Sequence, residues 1–426
     1  MTTPKIHCGV DDYMATFSKY FSRTEGKELA SCYVTGLMME GERKSVEPLS
    51  EKVNASERSL QRLLTEVKWD EGGVLEEYRR NMLAETSDPQ GILAVDDTAF
   101  PKRGSDSVCV SRQYCGATGK IDNCQVGVSL TYVGQDVAWP YAMDMFIPKV
   151  WDDFLNPQIL LKRKKTRMPE TAHYREKWRI ALEQIATARA NAIAHRAVVA
   201  DSWYGDIPEF RQGLAENGET YVVGVYSDTE VFLEPPTLEM AAPKKTGRPR
   251  KRPLVISTNP KPVKLSEIGA KVPEDAWEHL ELRKNSKGKP LIAEAVSLRV
   301  WPAHGHWKGN LNEEAWLIVE RRKKPGDFEL RYFFSNMPQN TPTIEMVRLY
   351  HERHWIEHGY QQMKEELGMD HHEGRSWTGW HRHVLLVFLA YGYLTLLRLR
   401  EKKLRTLQAW ASLLKLKLTQ TEELFP

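Results

Sequence analysis

The chain has 426 residues, enough for two to four domains and a sizeable core. Its 60 Lys and Arg stand against 57 Asp and Glu, which excludes a uniformly basic or acidic protein; positive charge is gathered in short runs at 162–167, 244–252 and 321–324. Cys8, Cys32, Cys109, Cys115 and Cys124 form no CxxC spacing, so neither a disulfide framework nor a zinc site is suggested, and they read as free thiols.

The first residues, MTTPKIHCGVDDY, lack an apolar signal core. The longest apolar stretch, Val384 to Leu397, is interrupted by Gly392 and is too short for a membrane span. The expectation is a soluble, cytoplasmic protein. The basic runs fit either phosphate tracking or solvated loops.

Residues 1–88 read as helical. In LSEKVNASERSLQRLLTEVKWD, Leu49 and Val53 sit four apart, Asn54 and Ala55 make a turn, and Ser56 is placed to cap a second helix. That helix carries Leu60, Leu63 and Leu64 inward and Arg58, Gln61 and Arg62 outward. The spacing suits a helix-turn-helix with a polar DNA-reading face, and equally a plain helical bundle.

From residue 89 the pattern changes. GILAVDD is a short apolar run that ends in two acids, and CQVGVSLTYV and VAWPYAMDMFIP read as further strands of a meander. His173 to Ala194 is a long helical stretch. RAVVAD is a buried strand that again ends in an acid, Pro208 to Asn217 a short helix stopped by Gly218, and YVVGV a strand. Strands and helices in this order indicate an α/β or α+β core.

Residues 226–340 are rich in Pro, Gly and Lys, as in PKKTGRPRKRP, with strand-like runs AVSLRVW, EAWLIVERR and ELRYFFS. They read as a β-rich insertion with a basic loop. Thr343 to Leu367 then reads as one helix, with Pro342 at its start and Gly368 at its end; Val384 to Arg400 is an apolar helix, and 401–426 a basic helical tail. The WTGW segment holding Trp377 and Trp380 reads as a turn that packs the two late helices.

On the helix from 343, Tyr350, Arg353, Glu357 and Lys364 lie at offsets 0, 3, 7 and 14. At about 100° per residue these fall within roughly 60° of one another. A stripe of phenol, guanidinium, carboxylate and ammonium is no core stripe. It is either a set of exposed charge pairs or a carboxylate for a metal flanked by cations for phosphates. Asp97 and Asp201 each follow an apolar strand, where an acid is commonly a turn former. Two strand acids with a third on a late helix suit two-metal phosphoryl chemistry, which needs carboxylates converging on ions about 4 Å apart.

These residues resemble bacterial insertion-sequence transposases of the DDE superfamily with a Tyr-Arg-Glu-Lys signature. YHERHWIEHGYQQMK matches Y-x2-R-x3-E-x6-K, Asp97-Thr98 matches the first acidic motif, and Asp201 with Tyr204 matches the second. DDTAFPKRGSDSVCVSRQYCGATGKIDNCQVGVSL and ERKSVEPLSEKV resemble one subgroup of the family. The resemblance implies a ribonuclease H-like core in which Asp97, Asp201 and Glu357 bind two Mg²⁺ or Mn²⁺. It also implies that Tyr350, Arg353 and Lys364 contact the transposon-end backbone. Members of this kind often cut the second strand through a hairpin with a flipped base stacked on an aromatic, for which Tyr332, Trp316 and Trp307 are candidates. Adjacent strand residues face opposite ways, so only one of Asp96 and Asp97 meets the metal; the Asp-Thr pairing favours Asp97.

Softer features follow. In TGRPRKR, Arg248 and Arg250 resemble a minor-groove hook, or belong to a basic loop. His351, His354, His358, His371 and His372 match no zinc motif and read as phosphate contacts or plain surface.

The expected organisation is a helical DNA-binding domain at 1–88, the first part of a ribonuclease H-like core at 89–225, the β-rich insertion at 226–340, core completion at 341–400, and the tail at 401–426. The expected activity is metal-dependent cleavage at the ends of an insertion sequence and joining to target DNA, by a homodimer on double-stranded DNA. The alternative is a domesticated relative that binds DNA without transposing; the intact acidic triad favours the enzyme.

Overall fold

The structure, a computed structural model, describes residues 9–135, 137–239, 254–255, 261–284, 288–306, 312–324 and 327–422. Five helices lead: α1 (Val10–Ala15), α2 (Thr24–Met38), α3 (Val46–Ser50), α4 (Glu57–Thr65) and α5 (Glu71–Thr86). Ser56 caps α4 by accepting the Ser59 N–H at 3.1 Å, Leu60, Leu63 and Leu64 are buried, and Arg58, Gln61 and Arg62 are exposed.

The sheet begins with β1 (Ile92–Pro101), β2 (Ser111–Cys115), β3 (Lys120–Gly134) and β4 (Val137–Met145). Next come α6 (Leu160–Lys165), α7 (Lys177–Ala190), β5 (Ala197–Ala200), α8 (Ser202–Gly205), α9 (Pro208–Glu216) and β6 (Tyr221–Val225). β1 pairs antiparallel with β3 and parallel with β5, β5 pairs parallel with β6, and β4 lies outside β3. The order β4-β3-β1-β5-β6 is the ribonuclease H-like arrangement. The fold is therefore mixed α/β around one large mixed sheet.

After β7 (Glu230–Phe232), β8 (Leu238–Glu239), β9 (Leu254–Val255), β10 (Val263–Lys264) and α10 (Leu265–Gly269), the chain forms β11 (Glu278–Lys284), β12 (Pro290–Pro302), β13 (Ala315–Lys324) and β14 (Asp327–Ser335). β14 pairs antiparallel with β6, Tyr332 opposite Val225 and Phe333 opposite Gly224. The strands after residue 226 thus continue the core sheet by main-chain hydrogen bonds.

The last helices are α11 (Thr343–His351), α12 (His354–Gln361) and α13 (Trp377–Glu422). α13 fills the groove between the N-terminal helices and the sheet, touching α2, α4, α5 and β4. Tyr78 of α5 lies where a side chain on Gly392 would start, 2.5 Å from an ideal Cβ, so glycine there admits a close helix crossing.

Several expectations are corrected. β1 runs on to Pro101, so Asp96 and Asp97 stand inside a strand rather than at its end. The helix placed at His173–Ala194 starts at Lys177 and ends at Ala190. The single helix expected over 343–367 is broken by a turn at Glu352–Arg353 and finishes as a wider π turn over Gln362–Glu366. Trp377 and Trp380 belong to the first turns of α13, with Trp380 edge-on to Phe100 at 5.5 Å. Gly392 does not interrupt α13, and Trp377–Arg405 is long and apolar enough by composition to cross a membrane; 72% of its most apolar window is buried within the fold, as in a core helix.

Candidate active site

Alternation along two strands builds the site. On β1, Leu93 and Val95 face one core, while Ile92 and Ala94 face the other. On β5, Val198 and Ala200 share the first core and Ala197 and Val199 the second. Val95 is opposite Ala200 in parallel register. Carried one residue further, Asp96 and Asp201 fall on the second face and Asp97 on the first. α11 and α12 cover the second face with Met346, Val347, Leu349 and Ile356. The helix that bears Glu357 therefore packs over Asp96 and Asp201.

Side-chain contacts agree. Arg353, in the turn between α11 and α12, donates from Nη1 to Asp96 Oδ2 at 2.8 Å and from Nη2 to Glu357 Oε1 at 2.5 Å. Asp96 is mostly buried, whereas Glu357 keeps 60% of its side chain exposed. Burial, abetted by Asp201 and Asp97 and opposed by Arg353, pushes the Asp96 carboxyl up to about 8. Asp201 is also raised, by burial first and then by Asp97, against Arg353 and the N–H groups of Tyr204 and Trp203, which its Oδ1 accepts at 3.1 and 3.0 Å as cap of α8. Burial opposes the charge on Arg353, but Asp96, Tyr350, Glu357 and Asp201 outweigh it and hold it firmly protonated.

Asp97 turns the other way. Lys177, at the start of α7, donates to its Oδ2 at 2.6 Å and lies 5.0 Å from the Trp203 ring and 5.6 Å from the Phe146 ring. The first metal acid expected from the Asp-Thr pairing is thus the residue that faces away from α12.

The rest of the signature has varied surroundings. Tyr350 is half-buried with its ring 3.9 Å from that of Phe333, and burial raises its phenol. Lys364 donates to the Ala99 carbonyl at 2.8 Å and lies 5.4 Å from the Phe100 ring; burial lowers its ammonium. Tyr360, one turn after Glu357, reaches Ser129 Oγ at 2.5 Å, and its phenol is raised by burial and then by Asp96.

Sequence reasoning missed Lys177 and Tyr360. The i,i+3 spacing from Glu357 was the signal for Tyr360; for Lys177 there was none, because it reaches Asp97 from α7, 80 positions along the chain.

The aromatic candidates fare differently. Tyr332 is buried, 4% exposed, and offers no face to a base. Trp316 is half-buried, donates to the Pro338 carbonyl at 3.1 Å and carries Arg299 on its ring. Trp307, Arg248 and Arg250 lie outside the described residues. Two aromatics beside Asp201 are exposed: Trp203, two residues on, and Tyr226, whose phenol is raised by burial and then by Asp201. His372 is not surface: it is buried and stacks on His383 at 5.2 Å.

Asp152, Asp153 and His173 form another group of metal-type donors. Its central carboxylate already accepts the N–H groups of Phe154, Leu155 and Tyr174, and the buried Arg163 lies 3.4 Å from Asp153. Asp152 thus braces the loop, while Asp153 Oδ1 and His173 Nδ1 are buried without a hydrogen-bond partner and face the Arg163 charge.

A ribonuclease H-like sheet that aligns two carboxylates beneath a helix-borne third defines a phosphodiester-cleaving nuclease of the DDE class. The profile of DDE superfamily endonucleases matches residues 16–289, and the chain belongs to that family. It is 23% identical over 361 residues, 84% of this chain and 80% of the relative, to the probable transposase for insertion sequence element IS701 of Microchaete diplosiphon. The resemblance drawn from the motifs holds, and the chain is an enzyme acting on DNA.

Proposed function

We propose that this endonuclease is a transposase: it binds the terminal inverted repeats of an insertion sequence, cuts at the element ends and joins the freed 3′-hydroxyls to target DNA. The carrying observation is the shared sheet face of Asp96 and Asp201 beneath the helix of Glu357, with Arg353 spanning Asp96 and Glu357. The metal acids are accordingly Asp96, Asp201 and Glu357, and Asp97 is held aside by Lys177.

The donor set fits divalent metal. Three carboxylates offer hard oxygens, with no thiol among them, which suits Mg²⁺ or Mn²⁺. Held by Asp96, Asp201 and Glu357, divalent ions would supply activation of a water or 3′-hydroxyl and stabilisation of the leaving oxygen. Arg353 bonds Asp96 and Glu357 in the free enzyme and is placed to meet a backbone phosphate. Lys364 and Tyr350 line the same approach. No covalent protein intermediate is needed. Exposed Arg58, Gln61 and Arg62 on α4 read the repeat. Two ends held for coordinated cutting imply a homodimer on DNA.

The test is cleavage of a labelled duplex carrying the element's own end in Mg²⁺. Wild type and Asp97→Asn cut, while Asp96→Asn, Asp201→Asn and Glu357→Gln bind without cutting. Loss of cutting in Asp97→Asn with Asp96→Asn active returns the first acid to Asp97. Sequence-specific binding without cutting by wild type, in any divalent ion, makes the chain a domesticated DNA-binding protein.

A further inference from the structure

The connection between β4 and α7 displays apolar side chains to solvent. Val150, Phe154, Leu155, Leu160 and Leu161 are all exposed, Phe154 at 78% and Leu161 at 76%. Scattered exposed leucines need no explanation, but five within twelve residues do.

The display is braced. Asp152 is buried and its carboxylate accepts the N–H groups of Phe154, Leu155 and Tyr174 at 3.0, 3.2 and 2.6 Å. Arg163, also buried, donates to the carbonyls of Trp151, Pro169 and Ala172 at 2.8, 2.9 and 2.8 Å. Trp151 is pinned through Nε1 to the Val110 carbonyl at 2.8 Å, and the Phe154 ring stacks on His173 at 4.3 Å. Two buried charged groups spend their hydrogen bonds on holding this loop with its apolar residues outward.

The charge around it selects the partner. From Phe154 to Arg175 there are six Lys or Arg and one acid, Glu170, a net +5 against +3 for the whole chain. Lys164, Lys165 and Arg167 are exposed around the apolar tip. A second copy docking face to face brings like charges together, whereas a polyanion is attracted. Arg167 also donates to the Thr65 carbonyl at 2.7 Å, at the end of α4, so the loop adjoins the exposed Arg58–Arg62 face.

Resting on the reading of the chain as a DNA-binding transposase, we infer that this loop is a second DNA-docking element, in which Lys164, Lys165 and Arg167 take backbone phosphates while Phe154, Leu155 and Leu161 enter the minor groove of the duplex engaged by α4. Apolar wedges rimmed by cations part base steps in this way.

The experiment uses full-length protein in the Glu357→Gln background, without divalent ions, and a duplex of the element's end with 2-aminopurine placed along it. Binding raises 2-aminopurine fluorescence at one step. Phe154→Ala with Leu161→Ala abolishes that rise and weakens binding about tenfold, with the salt dependence unchanged. Lys164→Ala with Lys165→Ala lowers the slope of log affinity against log salt by about 2. Leu161, Lys164 and Lys165 are exposed and Phe154 loses only its stack on His173, so melting temperatures fall little. Unchanged affinity and fluorescence in both double variants overturns the inference while leaving the transposase reading intact, provided wild type still cuts. A Phe154 and Leu161 variant that binds DNA normally but loses self-association by sedimentation makes the surface an interface between copies, and also overturns it. Wild type that neither binds nor cuts the duplex overturns both readings.

Discussion

Arg353 and Asp96, 257 positions apart, are joined by a 2.8 Å bond from Nη1 to Oδ2, and the same guanidinium reaches Glu357. A strand acid and a helix acid are thus tied by one cation that needs no metal. The Asp96 side chain is 16% exposed and that of Arg353 19%, so the bond lies largely out of water and breaking it leaves buried polar groups unpaired.

Arg353→Ala therefore destabilises the metal-free protein by about 1–3 kcal/mol for the buried hydrogen bonds it loses, because the Asp96 carboxyl, already pushed up to about 8 by burial, takes up a proton instead of standing as an uncompensated charge. Ions binding the native carboxylates stabilise by mass action, and more so once the competing guanidinium is gone. Calorimetry with chelator and with excess Mg²⁺ checks this: the gap in melting temperature between variant and wild type narrows in Mg²⁺. An equal gap in both conditions shows that Arg353 does not share ligands with the metal.

Replacing Arg58, Gln61 and Arg62 by alanine weakens binding to the element's end without lowering the melting temperature, because all three are exposed on α4. The Arg62 contact to Glu66, 3.4 Å between half-exposed side chains, contributes little stability. If both arginines contact phosphates, the log–log salt slope of affinity falls by about 2. Titration by fluorescence anisotropy at three salt concentrations decides it; an unchanged slope removes α4 from the DNA surface.

Much of this was legible in the chain. Ser56 and the leucines of α4 follow from capping and period, and the acids from their apolar strands. Alternation also separated Asp96 from Asp97, but not which face a later helix would cover: that depends on the packing of Met346, Val347 and Ile356. The break at Glu352–Arg353 has no Gly or Pro to announce it, and the bonds that hold Arg353 there are tertiary. The burial of Tyr332 was hidden because β14 joins the core sheet beside β6 instead of forming an exposed edge.

His195 and Glu219 give the fold a pH signature away from the acids. Their side chains are 8% and 5% exposed and meet at 2.8 Å. Burial opposes charge on His195, but Glu219 and the Ile193 carbonyl prevail and raise it above its ordinary 6.5. Burial likewise opposes charge on Glu219, but His195 and Arg189 prevail and lower it below 4.5. The histidine's share of stability is complete below its unfolded value and is lost as pH rises through the higher folded value. The glutamate's share is present above its unfolded value and is lost as pH falls through the lower folded value. Both are in place between pH 4.5 and 6.5. Urea unfolding at pH 5.5 and 8.5 should show wild type losing more stability on the alkaline side than His195→Gln; parallel losses refute the coupling.

Gly224 ties sheet geometry to the site. A Cβ there would lie 2.8 Å from the Ser202 backbone nitrogen and 2.9 Å from the Tyr350 hydroxyl. The first contact is with main chain at the start of α8, which Asp201 caps, so it cannot be relieved by a rotamer change. Gly224→Ala must displace Asp201, Tyr350 or both, and misplacing a reacting group by about 1 Å costs on the order of 100-fold in rate. Gly213→Ala is the control: its Cβ would meet the Leu182 Cδ1 at 2.5 Å, the flexible end of a side chain between α9 and α7. Both variants lose some stability from overpacking, about 1–3 kcal/mol. Single-turnover cleavage separates them, falling steeply in Gly224→Ala and holding near wild type in Gly213→Ala. Equal rates in the two variants, at matched stability, show that α8 and Tyr350 tolerate the shift and take no part in aligning the acids.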